Sequence, residues 1–206
     1  MNFIFVNFLL LLLALVPLHS FGQLQLSGYG TTGIQLGKLK SYTATGWGAG
    51  MNCRYQFLEE QISVGIKGEY ISFQPSPAFN KTNGGIYYSV VPILLFGRYQ
   101  FNPSVEFLQP YVGLGLGIFH ENITAGSSAF GIHAFRDYNK LSLGVSPEAG
   151  INLLIQPDFS IFVNTSLHVI LSGIANERYG NNPQVNLSGG TSLLTFQTGI
   201  TYTFPK

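Results

Sequence analysis

Three features of the sequence predict an all-β fold, a closed antiparallel barrel of eight strands that crosses a membrane. Charged residues make up only 9% of the chain, against about 25% in ordinary soluble domains, too few to cover a water-facing surface. Apolar and polar residues alternate with period two in one segment after another, as strands with two unlike faces require. The connections between those segments alternate short and long, as hairpins threaded back and forth across a bilayer do.

The start of the chain is organised differently. Residues 3–18 are apolar apart from Asn7 and Pro17, and Ser20-Phe21-Gly22 puts small residues at −3 and −1 of a cut before Gln23. This pattern reads as a secretory signal peptide over residues 1–22, leaving 23–206 as the barrel. An uncut membrane anchor is the alternative, because no Lys or Arg precedes Lys38. No Cys lies near the cut, which argues against a lipidated N-terminus. After the leader, no apolar run reaches the ~18 residues of a membrane helix. The single Cys, Cys53, excludes a disulfide scaffold. A net charge of +1 with no basic stripe argues against nucleic acid as a partner.

Taken in order, the first segment, 24–36, alternates only in part. The second sets Trp47, Ala49, Met51, Cys53, Tyr55 and Phe57 against Gly46, Gly48, Gly50, Asn52, Arg54 and Gln56. In the third, Ile62, Val64, Ile66 and Tyr70 oppose Ser63, Gly65, Lys67 and Glu69. The fourth, 87–101, is apolar on both faces and contains Pro92, so its register is the least determined. The fifth opposes Val112, Leu114, Leu116 and Ile118 to Tyr111, Gly113, Gly115 and Gly117. The sixth, 141–153, has one wholly apolar face, while its other face carries Ser142, Gly144, Ser146, Glu148, Gly150 and Asn152. The seventh, 159–171, opposes Ser160, Asn164, Ser166 and His168 to Phe159, Ile161, Val163 and Leu167, and the eighth alternates from Leu194 to Phe204. Each is long enough for the ~9–11 residues of a tilted membrane strand.

The connections then fall at 38–42, 58–60, 74–84, 102–107, 122–139, 156–158 and 173–191. After the first, short and long alternate, which sets the turns at the end holding both termini and the loops at the other. Only Arg54, Lys67, Glu69, Arg98 and Glu148 carry charge within these segments, all on the face of Gly, Ser and Asn. A soluble sandwich or lipocalin-type barrel puts its apolar face inside and its charge outside. The pattern here is the reverse.

Several motifs carry a family likeness: Gln109-Pro110-Tyr111-Val112-Gly113-Leu114-Gly115-Leu116-Gly117, Val91-Pro92-Ile93-Leu94-Leu95, Ser146-Pro147-Glu148-Ala149-Gly150 and Gly199-Ile200-Thr201-Tyr202-Thr203-Phe204. In this order they resemble the outer-membrane β-barrel domain family of OmpA-like and OmpX-like proteins, over residues 23–204. The resemblance implies a Gram-negative outer membrane, periplasmic termini, and contact with outer-membrane lipid and lipopolysaccharide. It also implies insertion by the barrel assembly machinery, which reads an aromatic end to the last strand, here Tyr202 and Phe204. In this chain Phe204 is followed by Pro205 and Lys206, a departure from the family's aromatic terminus.

The charges on the inner face, Arg54, Lys67, Glu69, Arg98 and Glu148, are expected to form a lumen network, because an unpaired charge in that space is costly. Gly113, Gly115 and Gly117 read as room for opposing side chains rather than a phosphate loop, since no helix follows them. Tyr55, Phe57, Phe101, Phe107, Tyr111, Tyr202 and Phe204 read as an aromatic girdle at the turn end. Ser166, His168 and Glu148 share a face and have the types of an acyl-transfer set. Their lumen position keeps lipid away, and the Ser-x-His order reverses the His-x-Ser of the lipid A deacylases. A hydrogen-bonded lumen histidine is therefore the expectation. His120, His133 and His168 lack metal-ligand spacing, and nothing calls for a cofactor. The expected function is non-enzymatic: structural, or interaction at the surface through 122–139 and 173–191 with a partner the sequence does not name. A narrow small-solute pore and a lipid-modifying barrel enzyme are the alternatives.

Overall fold

The computed structural model describes residues 22–36, 38–41, 43–57, 61–77, 86–101, 107–129, 132–171 and 191–205. The expected leader lies outside them, apart from Gly22. Eight strands follow one another: β1 (Gly22–Gln35), β2 (Thr43–Phe57), β3 (Ile62–Pro75), β4 (Ile86–Gln100), β5 (Leu108–Ala129), β6 (Ile132–Gln156), β7 (Phe159–Ile170) and β8 (Thr191–Thr203). Each pairs antiparallel with the next, and β1 closes on β8 from Gln25↔Thr203 to Gln35↔Leu193. Closure removes the edge strands that would leave backbone groups unpaired in lipid. With an even number of strands, the start of β1 and the end of β8 lie at the same end of the barrel, its terminal end.

The exterior is apolar and open. Trp47, Met51, Ile66, Leu95, Leu116 and Val163 all point outward, Trp47 being 68% exposed. Cys53 lies on the same face. On a lipid face such residues are favourable, whereas a Lys or Arg at the bilayer midplane costs ~2–4 kcal/mol. β1 and β4, the strands least legible in the sequence, take up the same alternation: Gln25, Ser27, Tyr29 and Thr31 point in between Leu24 and Leu26, and Leu94, Phe96 and Arg98 between Ile93, Leu95 and Tyr99. Proline interrupts two seams. The β3–β4 ladder passes from Gly68↔Ile93 to Ile71↔Val90, skipping Pro92, and β6–β7 passes from Val145↔Val169 to Glu148↔Ser166, skipping Pro147. A residue with no N–H cannot donate to the neighbouring strand.

Two expectations need correction. The region 122–139 is not a loop: β5 and β6 pair without interruption from Leu108↔Leu153 to Ala129↔Ile132. Only positions 130–131 separate the strands. β4 accompanies β5 as far as Ala125, but β7 reaches only Gly144 on β6, with Leu171 N–H donating to the Leu143 carbonyl just beyond. Residues 132–142 thus pair with β5 alone among the described residues, about 36 Å of strand at roughly 3.3 Å per residue. Period-two reading stopped at Ile118, because the sequence beyond it no longer separates polar from apolar. Backbone pairing needs no such contrast.

The second correction concerns the lumen, which is not polar throughout. Ile71, Phe73, Tyr88, Val90, Leu94, Phe119, Ile123, Ile170 and Leu193 pack together inside the barrel toward the long-loop end. The lumen therefore has an apolar layer at that end and a polar, charged layer toward the termini.

Candidate functional site in the lumen

The register of β4, β5 and β6 builds the centre of the charged layer. Arg98 lies opposite Gly113, and Gly113 opposite Glu148. A Cβ at Gly113 would stand 2.9 Å from Glu148 Cγ and 2.9 Å from the Gly97 carbonyl oxygen. The missing side chain lets the Arg98 and Glu148 side chains meet over β5. Arg98 Nε donates to Glu148 Oε1. From β3, Lys67 Nζ crosses the lumen to Glu148 Oε2 at 3.1 Å and to Gln197 Oε1 at 3.1 Å. Asn164 Nδ2 donates to Glu148 Oε2 at 3.1 Å and to Gln197 Oε1 at 3.0 Å. The Gln197 amide donates in turn to Glu69 Oε2 at 2.8 Å, and Tyr29 O–H reaches the same oxygen at 3.4 Å.

Rings and glycines support this network. The Arg98 guanidinium lies 4.8 Å from the Phe96 ring centroid and 4.5 Å from that of Tyr111, the range of cation–π contact. Lys67 Nζ is 5.7 Å from the Tyr29 ring. That ring sits against Gly50, where an added Cβ would approach it to 2.5 Å. Tyr111 covers Gly150 in the same way. Tyr111 is therefore an inward, buried residue and does not belong to the outer girdle with which it was grouped.

All five inner-face charges point into the lumen and are buried, but they do not form one cluster. Lys67, Arg98 and Glu148 are joined by ion pairs. Glu69 is reached through Gln197 and Tyr29. Arg54 donates through Nε to Gln25 Oε1, and Gln25 to Gln56 Oε1 at 2.5 Å. Sequence reasoning missed Glu121, which is buried in the apolar layer. Tyr88 O–H donates to it at 2.8 Å, Ser142 Oγ at 2.9 Å, and Lys140 Nζ lies 3.8 Å away. Carrying the alternation on through Phe119, Glu121 and Ile123 would have found it.

Ser166, His168 and Glu148 are not assembled for acyl transfer. His168 Nδ1 is 2.6 Å from Ser146 Oγ, Nε2 is 3.2 Å from Thr195 Oγ1, and the Phe119 ring packs edge-on at 5.7 Å. Ser166 Oγ instead lies 3.5 Å from Glu148 Oε2 and 3.4 Å from Lys67 Nζ. Among the described residues no carboxylate is hydrogen-bonded to the imidazole, and Ser146, Ser166 and His168 are all buried. The geometry supplies neither an oriented base nor access for a substrate.

On the outside, Tyr202 and Phe204 stack edge-to-face at 5.1 Å near the end of β8. Tyr55 with Phe57 and Tyr99 with Phe101 repeat the arrangement at 5.3 and 5.2 Å. All three pairs lie at the end of the barrel that holds the chain termini.

No protein-family model matches the sequence, and a search of curated proteins finds no match. Solved structures do match. Neisserial surface protein A (NspA) aligns with a TM-score of 0.60 at 13% identity, over 88% of this chain and 97% of that one. The outer membrane protein OprG from Pseudomonas aeruginosa aligns with a TM-score of 0.54 at 13% identity, over 90% and 97%. At such identities the likeness is one of fold. By strand count, closure and structural likeness, this chain has the fold of the small eight-stranded outer-membrane β-barrels.

Proposed function

We propose that the protein is a non-enzymatic integral outer-membrane barrel with a closed lumen, which acts as a structural element or by surface interaction through its long-loop end. The observation that carries this reading is the filled interior. Lys67, Arg98 and Glu148 bridge the lumen at one level, and Phe73, Phe119 and Leu193, with no exposed area, occupy the next. Eight-stranded barrels have interiors just wide enough for side chains to fill, and this one uses two different kinds of filling. The apolar belt fits a bilayer, and the aromatic pairs at the terminal end fit its interface. With the termini in the periplasm, the β5–β6 hairpin reaches the cell surface; the connection expected over 173–191 lies, but for Thr191, outside the described residues. Tyr202 and Phe204 then serve as the assembly signal read during insertion, and lipopolysaccharide surrounds the outer half.

Planar-bilayer recording of the refolded barrel tests this. Wild type is expected to show little steady conductance, and Glu148→Ala, which strands Lys67 and Arg98, is expected to leak or to unfold more easily. A large, stable wild-type conductance that Glu148→Ala leaves unchanged would favour a pore. A binding screen with and without a shortened β5–β6 hairpin tests the surface role, since loss of binding with the barrel still folded assigns it to the hairpin.

A further inference from the structure

Among the described residues, the charged layer contains more positive charge than its own acids neutralise. Arg54, Lys67 and Arg98 face inward there with Glu69 and Glu148. Glu121 lies apart, in the apolar layer beside Lys140. Glu148 serves both Lys67 and Arg98, and among the described residues no carboxylate is within ion-pair distance of Arg54. The Nη1 groups of Arg54 and of Arg98 are buried without a hydrogen-bond partner, and so is the Tyr111 hydroxyl.

The register brings these groups to one level. Arg54 on β2 lies opposite Gly65 on β3, and Ser63 on β3 lies opposite Arg98 on β4. Between the two arginines, which both face the lumen, the wall thus offers only a glycine and a serine. A guanidinium does not escape by losing its proton. Water would satisfy an N–H but leave the charge unbalanced, and a buried, unbalanced charge is costly.

We propose that a chloride-sized inorganic anion binds in the lumen between Arg54 and Arg98. The two free Nη1 groups are its donors, and the space left in an eight-stranded lumen limits it to a small ion. Gln25, opposite Arg54, and Gln56, two residues nearer the terminal end of β2, are hydrogen-bonded to each other and border this site on its terminal side.

The test is thermal unfolding of the refolded barrel in sodium chloride and in sodium gluconate at equal ionic strength, gluconate being too large to enter. Chloride is expected to raise the melting temperature of wild type by several degrees and to saturate, as binding to the folded state alone requires. Arg54→Met should abolish that difference and be at least as stable as wild type in gluconate. Equal melting of wild type in both salts would overturn the proposal, as would a chloride effect that persists in Arg54→Met. Should the variant fail to fold, bromide-soaked crystals of wild type decide. An anomalous peak between the two guanidinium groups supports the site, and its absence overturns it.

Discussion

Gly113 shows how much one residue decides. It is the gap over which Arg98 and Glu148 meet, and an added Cβ would press on Glu148 and on the Gly97 carbonyl at 2.9 Å each. The backbone oxygen cannot rotate away, so the methyl must displace either the strand or the carboxylate. Gly113→Ala is therefore expected to destabilise the barrel by ~1–3 kcal/mol, the usual cost of overpacking, measured by urea unfolding in lipid vesicles. Gly115→Ala is the control, because its Cβ would meet Leu94 Cδ1 at 3.3 Å, which can rotate, and Ser146 Cβ at an ordinary 3.4 Å. Equal stability of the two variants would show that Glu148 does not depend on the space at Gly113.

At the scale of the strand, register is all or nothing, because a slip of one residue turns every side chain over. Cys53 tests it for β2. Its outward position opposite Ile66 places it at lipid depth. A water-soluble maleimide should label it only after unfolding, and rapid labelling of the folded barrel would mean that β2 is out by one. The β5–β6 hairpin makes a second test. Gly126 and Asn139 belong to strands rather than to a loop, so a tag at Gly126 would break the pairing. One inserted between positions 130 and 131 should be reached by antibody on intact cells, whereas tags at Glu59 or Pro103 should not. Accessibility at Glu59 together with protection at 130–131 would reverse the proposed orientation.

For the whole molecule, burial works differently from a water-soluble domain. Outside, lipid replaces the water that would penalise Trp47 or Leu95. Inside, the wall encloses both an apolar layer and a charged one. Charge inside such a wall is stable only when paired, so removing one partner costs more than the intact pair contributes. Delivery of the chain to this membrane would depend on the leader expected over residues 1–22. The mature N-terminus is expected at Gln23, with recovery of the protein in outer membranes. N-terminal sequencing that finds Met1 retained would instead support the uncut anchor.

By itself the sequence determined the class, the number of strands, and which face of most strands meets lipid. These follow from composition and a period of two, and each is a local property that a single strand carries. It also named the inward charges Arg54, Lys67, Glu69, Arg98 and Glu148, because parity alone assigns a face. Tertiary structure decided what parity cannot. Which charge meets which depends on the stagger between strands, so only the closed barrel put Arg98 and Lys67 on Glu148 and left Arg54 with Gln25. The same holds for His168, whose partners proved to be Ser146 and Thr195 on the two neighbouring strands rather than Ser166 two residues away. The apolar layer and the long β5–β6 hairpin stayed hidden for a related reason. Both faces of those segments are apolar or mixed, and once the contrast between faces is lost, only pairing with neighbouring strands sets direction and length.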